Sequence, residues 1–340
     1  MIHILFTAFN ALAPVVALIL LGYYLKRIGF LTKDFLRNGN QLVFSICLPA
    51  MIFTSVYDID GLEAINWRFV GCCIGILLLI FVLGFVTSIL VTKDARKRGV
   101  IWQCTYYSNL AIIGLSLANA LGGSEAVASI SIVTAFAAPM FNVLGVISLS
   151  TFVVQANGSK GRFRGVLSSI ARNPQILAAV AALCCLVLRE VQQVCFGEVL
   201  FRLRDQAKFL YTTLNNVKSI STPFALLVLG GQFEFSATKG LLKEIVTATA
   251  WKIVISPLIG TSLVVFLSLK AGFLNCGIAE YAAVIPIFGS PVAVSSAVMA
   301  AAMGSDEQLA TQLVVWTSVF SIATIFAQVC ILMGFGILQI

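Results

Sequence analysis

Two stretches of the chain combine small residues, hydroxyl groups and helix-breaking residues in a way that could bind a ligand inside a membrane. CTYYSNLAIIGLSLANALGG occupies residues 104–123, and IPIFGSPVAVSSAVMAAAMG occupies residues 285–304. Ten of the twenty residues in the second stretch are Gly, Ala or Ser, whereas a plain lipid-facing helix would use larger apolar residues. The candidate substrate-binding residues on the two stretches are Asn109, Gly114, Ser116, Gly289, Ser290, Pro291, Ser295 and Ser296.

Breaks in these two stretches would expose backbone N–H and C=O groups, which a membrane tolerates only beside protein or a watery cavity. The N-terminus of a half-helix carries partial positive charge and binds anions, and Asn109 and Ser295 would add hydrogen-bond donors near the presumed breaks. The alternative is ordinary close helix packing through small residues, with proline kinks. The occurrence of a matched pair of such stretches favours a binding site.

Two lysines fall within apolar segments. Lys252 lies about eight residues into its segment and Lys218 about five into its own. Ionisable residues inside a bilayer are costly and mark functional sites, although lysines near helix ends can extend to the interface. We assign Lys252 and Lys218 a charge or gating role, which indicates an anionic substrate or a salt-bridge gate. Pro49 and Pro223 are expected to interrupt corresponding helices and to serve in gating.

The composition places these residues in an integral membrane protein. The chain is 59% hydrophobic and 11% charged, with a mean hydropathy of +1.00, whereas soluble domains carry about 25% charged residues. We attribute the net charge of +8 to loops that set membrane orientation and not to nucleic acid. His3 is the only histidine, and no metal-binding Cys/His spacing or phosphate-binding loop occurs, so we expect no enzyme activity, metal or cofactor.

Apolar runs predict ten membrane-spanning helices. They lie at about 4–25, 40–57, 68–92, 99–121, 126–154, 176–188, 213–233, 245–269, 279–303 and 309–338. With the N-terminus outside, the predicted cytoplasmic loops hold 14 of the 22 basic residues and the external segments hold six. Because basic residues concentrate on the cytoplasmic side, we expect a multi-pass protein of the cell membrane with both termini external.

The basic loop near the middle divides the chain into two halves. The predicted units are a first five-helix repeat at 1–155, a cytoplasmic connecting loop at 156–165 and a second repeat at 166–340. An odd number of spans per half inverts the second repeat relative to the first. GGSEAVASISIVTAF (122–136) resembles MGSDEQLATQLVVWT (303–317), and inversion would place Glu125 outside and Asp306 inside.

Several segments resemble the auxin efflux carrier family. They are APVVALILLGYYLKRIGFLTKDFLRNGNQLVFSICLPAMIFTSV (13–56), RNPQIL (172–177), TPFALLVLGGQF (222–233), WKIVISPLI (251–259) and SPVAVSSAVMA (290–300). The chain departs from the family pattern in the first crossing stretch, where Ala111 and Ser116 replace a Gly and a Pro. In the second, Val292 and Ser295 replace a Pro and an Asn.

The resemblance implies an all-α membrane fold of ten helices, in which spans 4 and 9 are broken and cross at the midplane. It also implies a compact, bacterial-type secondary transporter that moves a small organic anion by alternating access. The substrate would be a mono- or dicarboxylate such as malonate or malate, or an auxin-like acid. Alternatives are a sodium-coupled, bile-acid-type carrier of larger anions and a channel. The coupling ion, proton or sodium, and a homodimer are left open.

Overall fold

The computed structural model describes residues 2–58, 66–156, 174–199 and 201–338, and its regular structure there is helical. The helices are α1 (Ile2–Arg27), α2 (Lys33–Leu42), α3 (Leu48–Tyr57), α4 (Trp67–Val91), α5 (Ala95–Tyr106), α6 (Leu115–Ala156), α7 (Pro174–Phe196), α8 (Leu203–Gln206), α9 (Lys208–Gln232), α10 (Phe235–Gly240), α11 (Leu242–Ala250), α12 (Ser256–Leu269), α13 (Ile278–Gly289), α14 (Val294–Ala302) and α15 (Glu307–Gly334). The predicted connecting loop at 156–165, apart from its first residue, lies outside the described residues.

Several of these helices are long and apolar enough to cross a membrane. Within the described ranges there are five such stretches, Trp67–Val91, Glu125–Val153, Ile176–Phe196, Leu242–Leu269 and Glu307–Gly334. The sixth predicted span, expected from a short apolar run, belongs to the 23-residue helix α7, which begins at Pro174. Large apolar side chains on α7 face outward, as in Val187 and Val194. Hydrocarbon solvates such side chains, so the fold is that of a multi-pass membrane protein.

The helices pack in two groups. In the first, which we call the flanking group, α1 packs along α9, and α3 packs against α7 and α9. In the second, the crossing group, α5 packs against α4 and α6, α13 against α6 and α12, and α14 against α15. A π-helical turn at Val43–Cys47 joins α2 to α3, and another at Trp251–Ile255 joins α11 to α12. Each of these helix pairs therefore follows one continuous helical path.

Glycines allow close backbone approach inside both groups. A Cβ on Gly22 would lie 2.1 Å from the carbonyl oxygen of Leu227, and one on Gly230 would lie 2.0 Å from that of Ile19. α1 and α9 thus touch backbone to backbone, as small residues permit between membrane helices. In the crossing group, a Cβ on Gly260 would lie 2.2 Å from the Phe288 ring.

Candidate binding site at the crossing helices

Two helical paths of the crossing group are interrupted and meet at their interruptions. α5 ends at Tyr106, and helical structure resumes with a π-turn at Leu110–Gly114 that leads into α6. α13 ends at Gly289, and α14 begins at Val294. We call the two intervening segments, residues 107–109 and 290–293, the crossing. Pro291 lies in the middle of the second segment, where its missing N–H and fixed φ prevent continuation of the helix.

Backbone hydrogen bonds hold the crossing together. Ser108 and Val292 form an isolated antiparallel bridge. The Asn109 N–H donates to the Pro291 carbonyl at 2.9 Å, and the Ala293 N–H donates to the Tyr107 carbonyl at 3.1 Å. The Val292 N–H donates to Thr317 Oγ1 on α15 at 3.2 Å. Groups that a broken helix would otherwise leave unpaired in the membrane are thereby satisfied.

A cavity of about 100 Å³ lies against the crossing, between the two helix groups. The flanking group contributes residues of α3 and α9, including Leu48, Met51, Ser221, Thr222 and Ala225. The crossing group contributes Tyr107, Ser108, Asn109, Thr134, Phe141, Asn142, Ala293, Val294 and Ser295, among others. The lining is apolar with a few amide and hydroxyl groups, which is typical of a small-molecule site.

Tyr107 connects the polar groups on the crossing side of this cavity. Its hydroxyl donates to Asn142 Oδ1 at 3.0 Å and accepts from Ser295 Oγ at 3.2 Å. Asn142 Nδ2 in turn donates to the Ala138 carbonyl at 2.7 Å. Within the described ranges the Thr134 hydroxyl is buried without a partner. The Asn109 side chain lines the cavity and makes no hydrogen bond to any described residue, so it is available to a ligand.

Lys252 places an amine directly behind the crossing. It lies in the π-turn between α11 and α12, its side chain is 0% exposed, and its Nζ donates to Ser108 Oγ at 2.5 Å. Ser108 Oγ in turn donates a hydrogen bond to the Ile287 carbonyl, in the last turn of α13, at 3.0 Å. A helix C-terminus carries partial negative charge, which favours a nearby cation. Among the described residues, no carboxylate pairs with Lys252.

Comparison with known proteins identifies the family. A family model described as "membrane transport protein" matches residues 7–162 and 163–327, which is nearly the whole chain. The chain belongs to the auxin efflux carrier family. An uncharacterized transporter of Methanocaldococcus jannaschii is 23% identical over 262 residues, covering 75% of this chain and 79% of the relative. A second uncharacterized transporter, of Methanothermobacter thermautotrophicus, is 29% identical over 120 residues, 33% of this chain and 37% of that protein.

The remaining predicted site residues of this family member lie at varied distances from the cavity. Ser290 is fully buried beside the cavity-lining segment, and its hydroxyl has no hydrogen-bond partner among the described residues. Gly289 lies against Gln328 and Gly114 against Ile130, so both serve close packing. Ser296 is buried without lining the cavity, and Ser116 lies near the start of α6, seven residues beyond Asn109.

Three of the four predicted gating residues, Lys218, Pro49 and Pro223, belong to the flanking group. Lys218 pairs with Asp58 at 3.7 Å, and Asp58 also accepts from the Tyr211 hydroxyl at 2.7 Å. The expectation that Pro49 and Pro223 interrupt their helices is wrong. Pro49 is the second residue of α3, directly after a π-turn, and Pro223 lies inside α9. A π-turn adds a residue to the helix and can absorb a proline that cannot donate a hydrogen bond.

Sequence reasoning missed Tyr107, Ser108, Thr134 and Asn142. Tyr107 and Ser108 directly precede Asn109, so the proximity of a presumed break could have flagged them. Thr134 and Asn142 lie eight residues apart on α6, in a strongly apolar helix. Two polar side chains at helical spacing in such a helix would have been the available signal.

A second, larger cavity opens between the same two helix groups. It measures about 590 Å³ and lies at the end of the molecule predicted to be cytoplasmic. Its flanking-group lining includes Lys26, Lys33 and Arg37, and its crossing-group lining includes Ala302 and Glu307. One face of the α2–α3 path links the two cavities, since Gln41 and Phe44 line the larger one and Leu48 and Met51 the smaller one. These positions recur every three or four residues, as one helix face does.

Proposed function

We propose that this protein is a secondary active transporter that moves a small organic anion across the cell membrane by alternating access. The observation that carries the proposal is the cavity at the crossing, where two interrupted helices present backbone, amide and hydroxyl groups to one small space. Interrupted membrane helices with this relation form the substrate sites of many transporters. Membership of a transporter family agrees with this reading.

The electrostatics of the site favour an anion. The first residues of α14, Val294 and Ser295, line the cavity, so the positive end of that half-helix faces it. The Lys252 ammonium lies behind Ser108 on the other side of the crossing segment. No described residue lining this cavity is acidic. A carboxylate held here would accept hydrogen bonds from Asn109 and from the N-terminal turn of α14.

The cavity volume favours small carboxylates. A volume of about 100 Å³ corresponds to a few water molecules. Such a space suits a mono- or dicarboxylate of the size of malonate or malate. It disfavours the second candidate, a sodium-coupled carrier of bile-acid-sized anions, which would need a much larger site.

The proposed architecture is ten spans in an inverted five-plus-five repeat with both termini external. In support, the backbone leaves the helical conformation at Gly122 and Gly123 within α6, and this turn resembles the one that precedes α15. Gly123 and Gly304 both adopt positive φ, at 63° and 72°, and each is followed by Ser and an acidic residue. Asp306 caps α15 by accepting from the Leu309 N–H at 2.9 Å. Glu125 occupies the corresponding position in the first half.

In the proposed mechanism the crossing group moves along the flanking group and carries the substrate site with it. Both cavities lie at the boundary between the two groups, as this motion requires. The larger cavity would then be the cytoplasmic entrance. Its lining holds three basic residues, of which Lys26 and Arg37 pair with Glu234 and Asp34, and two acidic ones, so Lys33 is the cation there that would attract an anion.

Uptake into proteoliposomes tests the function. We expect saturable uptake of labelled malonate or malate, counterflow by unlabelled substrate, and acceleration by either a proton or a sodium gradient, which identifies the coupling ion. Absence of transport across a panel of mono- and dicarboxylates would refute the organic-anion assignment. Flux without saturation or counterflow would show a channel.

Asn109 provides the sharpest test of the site. Replacing Asn109 with Leu removes the free amide from the cavity, and we expect uptake to fall about 10-fold or more, as for loss of a hydrogen bond to a charged group. Asn119→Leu is the matched control, because Asn119 lies on the same path but is exposed and does not line the cavity. Equal activity of the two variants would place the site elsewhere.

A further inference from the structure

We propose that a groove on the membrane-facing side of α12 and α15 binds a long-chain fatty acid in its protonated form. The groove measures about 430 Å³, which lies in the usual range of small-molecule sites. It shares no lining residue with the cavity at the crossing. This inference does not depend on the proposed transport function.

The groove opens toward the hydrocarbon of the bilayer. Its helices belong to two of the stretches that are long and apolar enough to span a membrane. Leu258, Ile331 and Phe335 on its rim are 65%, 57% and 76% exposed. In a bilayer these side chains contact lipid, so a hydrocarbon chain fits the apolar part of the groove.

Two polar side chains lie in the otherwise apolar floor of the groove. Gln328 Nε2 on α15 donates to Thr261 Oγ1 on α12 at 2.5 Å, and Thr261 is buried. Among the described residues, Gln328 Oε1 receives no hydrogen bond and the Thr261 hydroxyl donates none. Unsatisfied amide and hydroxyl groups are costly beside hydrocarbon. The floor therefore offers an acceptor and a donor side by side.

A protonated carboxyl group complements this pair. Its O–H donates to Gln328 Oε1, and its carbonyl accepts from the Thr261 hydroxyl. The ionised form is disfavoured, since a carboxylate is costly at this depth and cannot donate to Oε1. Gln328 lies six residues before the end of α15, about 9 Å along the axis. From there the groove continues past Pro257 and Ile253 toward the middle of the spanning stretch, where the hydrocarbon chain lies.

The groove adjoins the second interrupted helix. A Cβ on Gly289, the last residue of α13, would lie 2.7 Å from Gln328 Oε1. A fatty acid that fixes the Gln328 amide therefore acts directly on the residue that precedes the crossing. The site is placed to let bilayer composition influence the crossing.

Native mass spectrometry of the purified full-length protein tests the site, with oleic acid as the probe and methyl oleate and oleyl alcohol as comparators. We expect saturable binding of one oleic acid per chain. Methyl oleate lacks the O–H donor, and we expect it to bind at least about 10-fold more weakly, the effect of one unmade hydrogen bond. Gln328→Leu and Thr261→Val should weaken oleic acid binding to a similar extent.

A pair of variants on α15 locates the binding. Ala327→Phe fills the groove and should abolish oleic acid binding, whereas Ala323→Phe, one turn away, exposed and outside the groove, should preserve it. Thermal unfolding checks that each variant is folded. If Gln328→Leu does not fold, the comparison of Ala327→Phe with Ala323→Phe decides whether oleic acid binds in the groove. Equal binding of methyl oleate or oleyl alcohol would overturn recognition of the carboxyl group, and binding unaffected by Ala327→Phe would overturn the location.

Discussion

At the scale of single residues, Lys252 is a buried basic side chain that pairs with no carboxylate among the described residues. Its ammonium is fully buried, and its one hydrogen bond is to the neutral Ser108 hydroxyl. Burial of a charge without an opposite partner costs several kcal/mol even after relaxation. A residue that lowers the stability of the fold at this position is best explained by a requirement of function.

This trade-off can be measured with Lys252→Met, which keeps the length of the side chain and removes the charge. We expect the melting temperature to rise by a few degrees, because the desolvation cost is removed. We expect malonate or malate uptake to fall roughly 10-fold or more, because the anion loses a nearby positive charge. Lys270→Met is the control, since Lys270 is exposed at the end of α12 and lines neither cavity. A variant that is destabilised and still active would contradict the interpretation.

The site could be predicted only in part from the sequence. Asn109 and Ser295 stood out because they interrupt apolar segments that are rich in small residues, and both line the cavity. Ser290 and Ser296 belong to the same segment but do not line it. Their side-chain direction depends on where the helix ends and restarts. Asn142 lines the cavity and accepts a hydrogen bond from Tyr107, a contact between residues 35 positions apart that no local pattern encodes.

At the scale of elements, the flanking group depends on the contact between α1 and α9. The backbones approach so closely at Gly22 and Gly230 that no side chain fits between them. Without a hydrophobic driving force between helices in lipid, van der Waals packing of this kind provides much of the association energy. We therefore expect these glycines to matter for stability.

Gly230→Ala tests this contact. The added methyl would lie 2.0 Å from the Ile19 carbonyl oxygen, so α1 and α9 must separate. Overpacking of this kind costs about 1–3 kcal/mol, and we expect a lower melting temperature. Gly71→Ala on α4 is the control, because nothing lies within 4 Å of its Cβ position and alanine favours the helix. Equal melting temperatures for the two variants would rule out the tight contact.

The apolar runs in the sequence predicted where the helices lie, but hydropathy did not predict where the helices are interrupted. The 23-residue α7 extends well beyond its short apolar run, since charged residues such as Arg189 can continue a helix at the membrane surface. A proline in an apolar run did not by itself predict an interruption of the helix. Pro291 lies in a true interruption, whereas Pro223 lies within α9, and tertiary packing decides between these outcomes.

At the scale of the whole molecule, the proposed mechanism requires relative motion of the two helix groups. Gln41 and Ala302 line the larger cavity from opposite groups. In a background without native cysteines, linking Gln41→Cys to Ala302→Cys with a short bifunctional maleimide should stop uptake. Linking Lys97→Cys to Glu244→Cys should preserve it, because this ion pair, 3.0 Å apart, joins α5 to α11 within the crossing group. Full uptake after the first cross-link would exclude the proposed motion.

The arrangement of the two groups could not be predicted from the sequence alone. Residues of α1 and α9 are separated by some 200 positions, and the hydropathy of a span does not indicate its neighbours. The family resemblance implied that interrupted helices cross, and the structure adds which residues form the contact. Arg96 gives one further example, donating to the Gly304 and Ser305 carbonyls at 3.0 and 3.2 Å across 208 and 209 positions.

The two main-chain bonds at the crossing have a consequence for how such proteins diversify. Because the frame is held by main-chain groups, Tyr107, Asn109 and Ala293 contribute to it without their side chains, whereas Pro291 also breaks the helix. Here the path from α5 to α6 is interrupted although Ser116 replaces the family proline. New substrate preferences can therefore arise by single substitutions of the side chains at the crossing, while its main-chain hydrogen bonds stay the same.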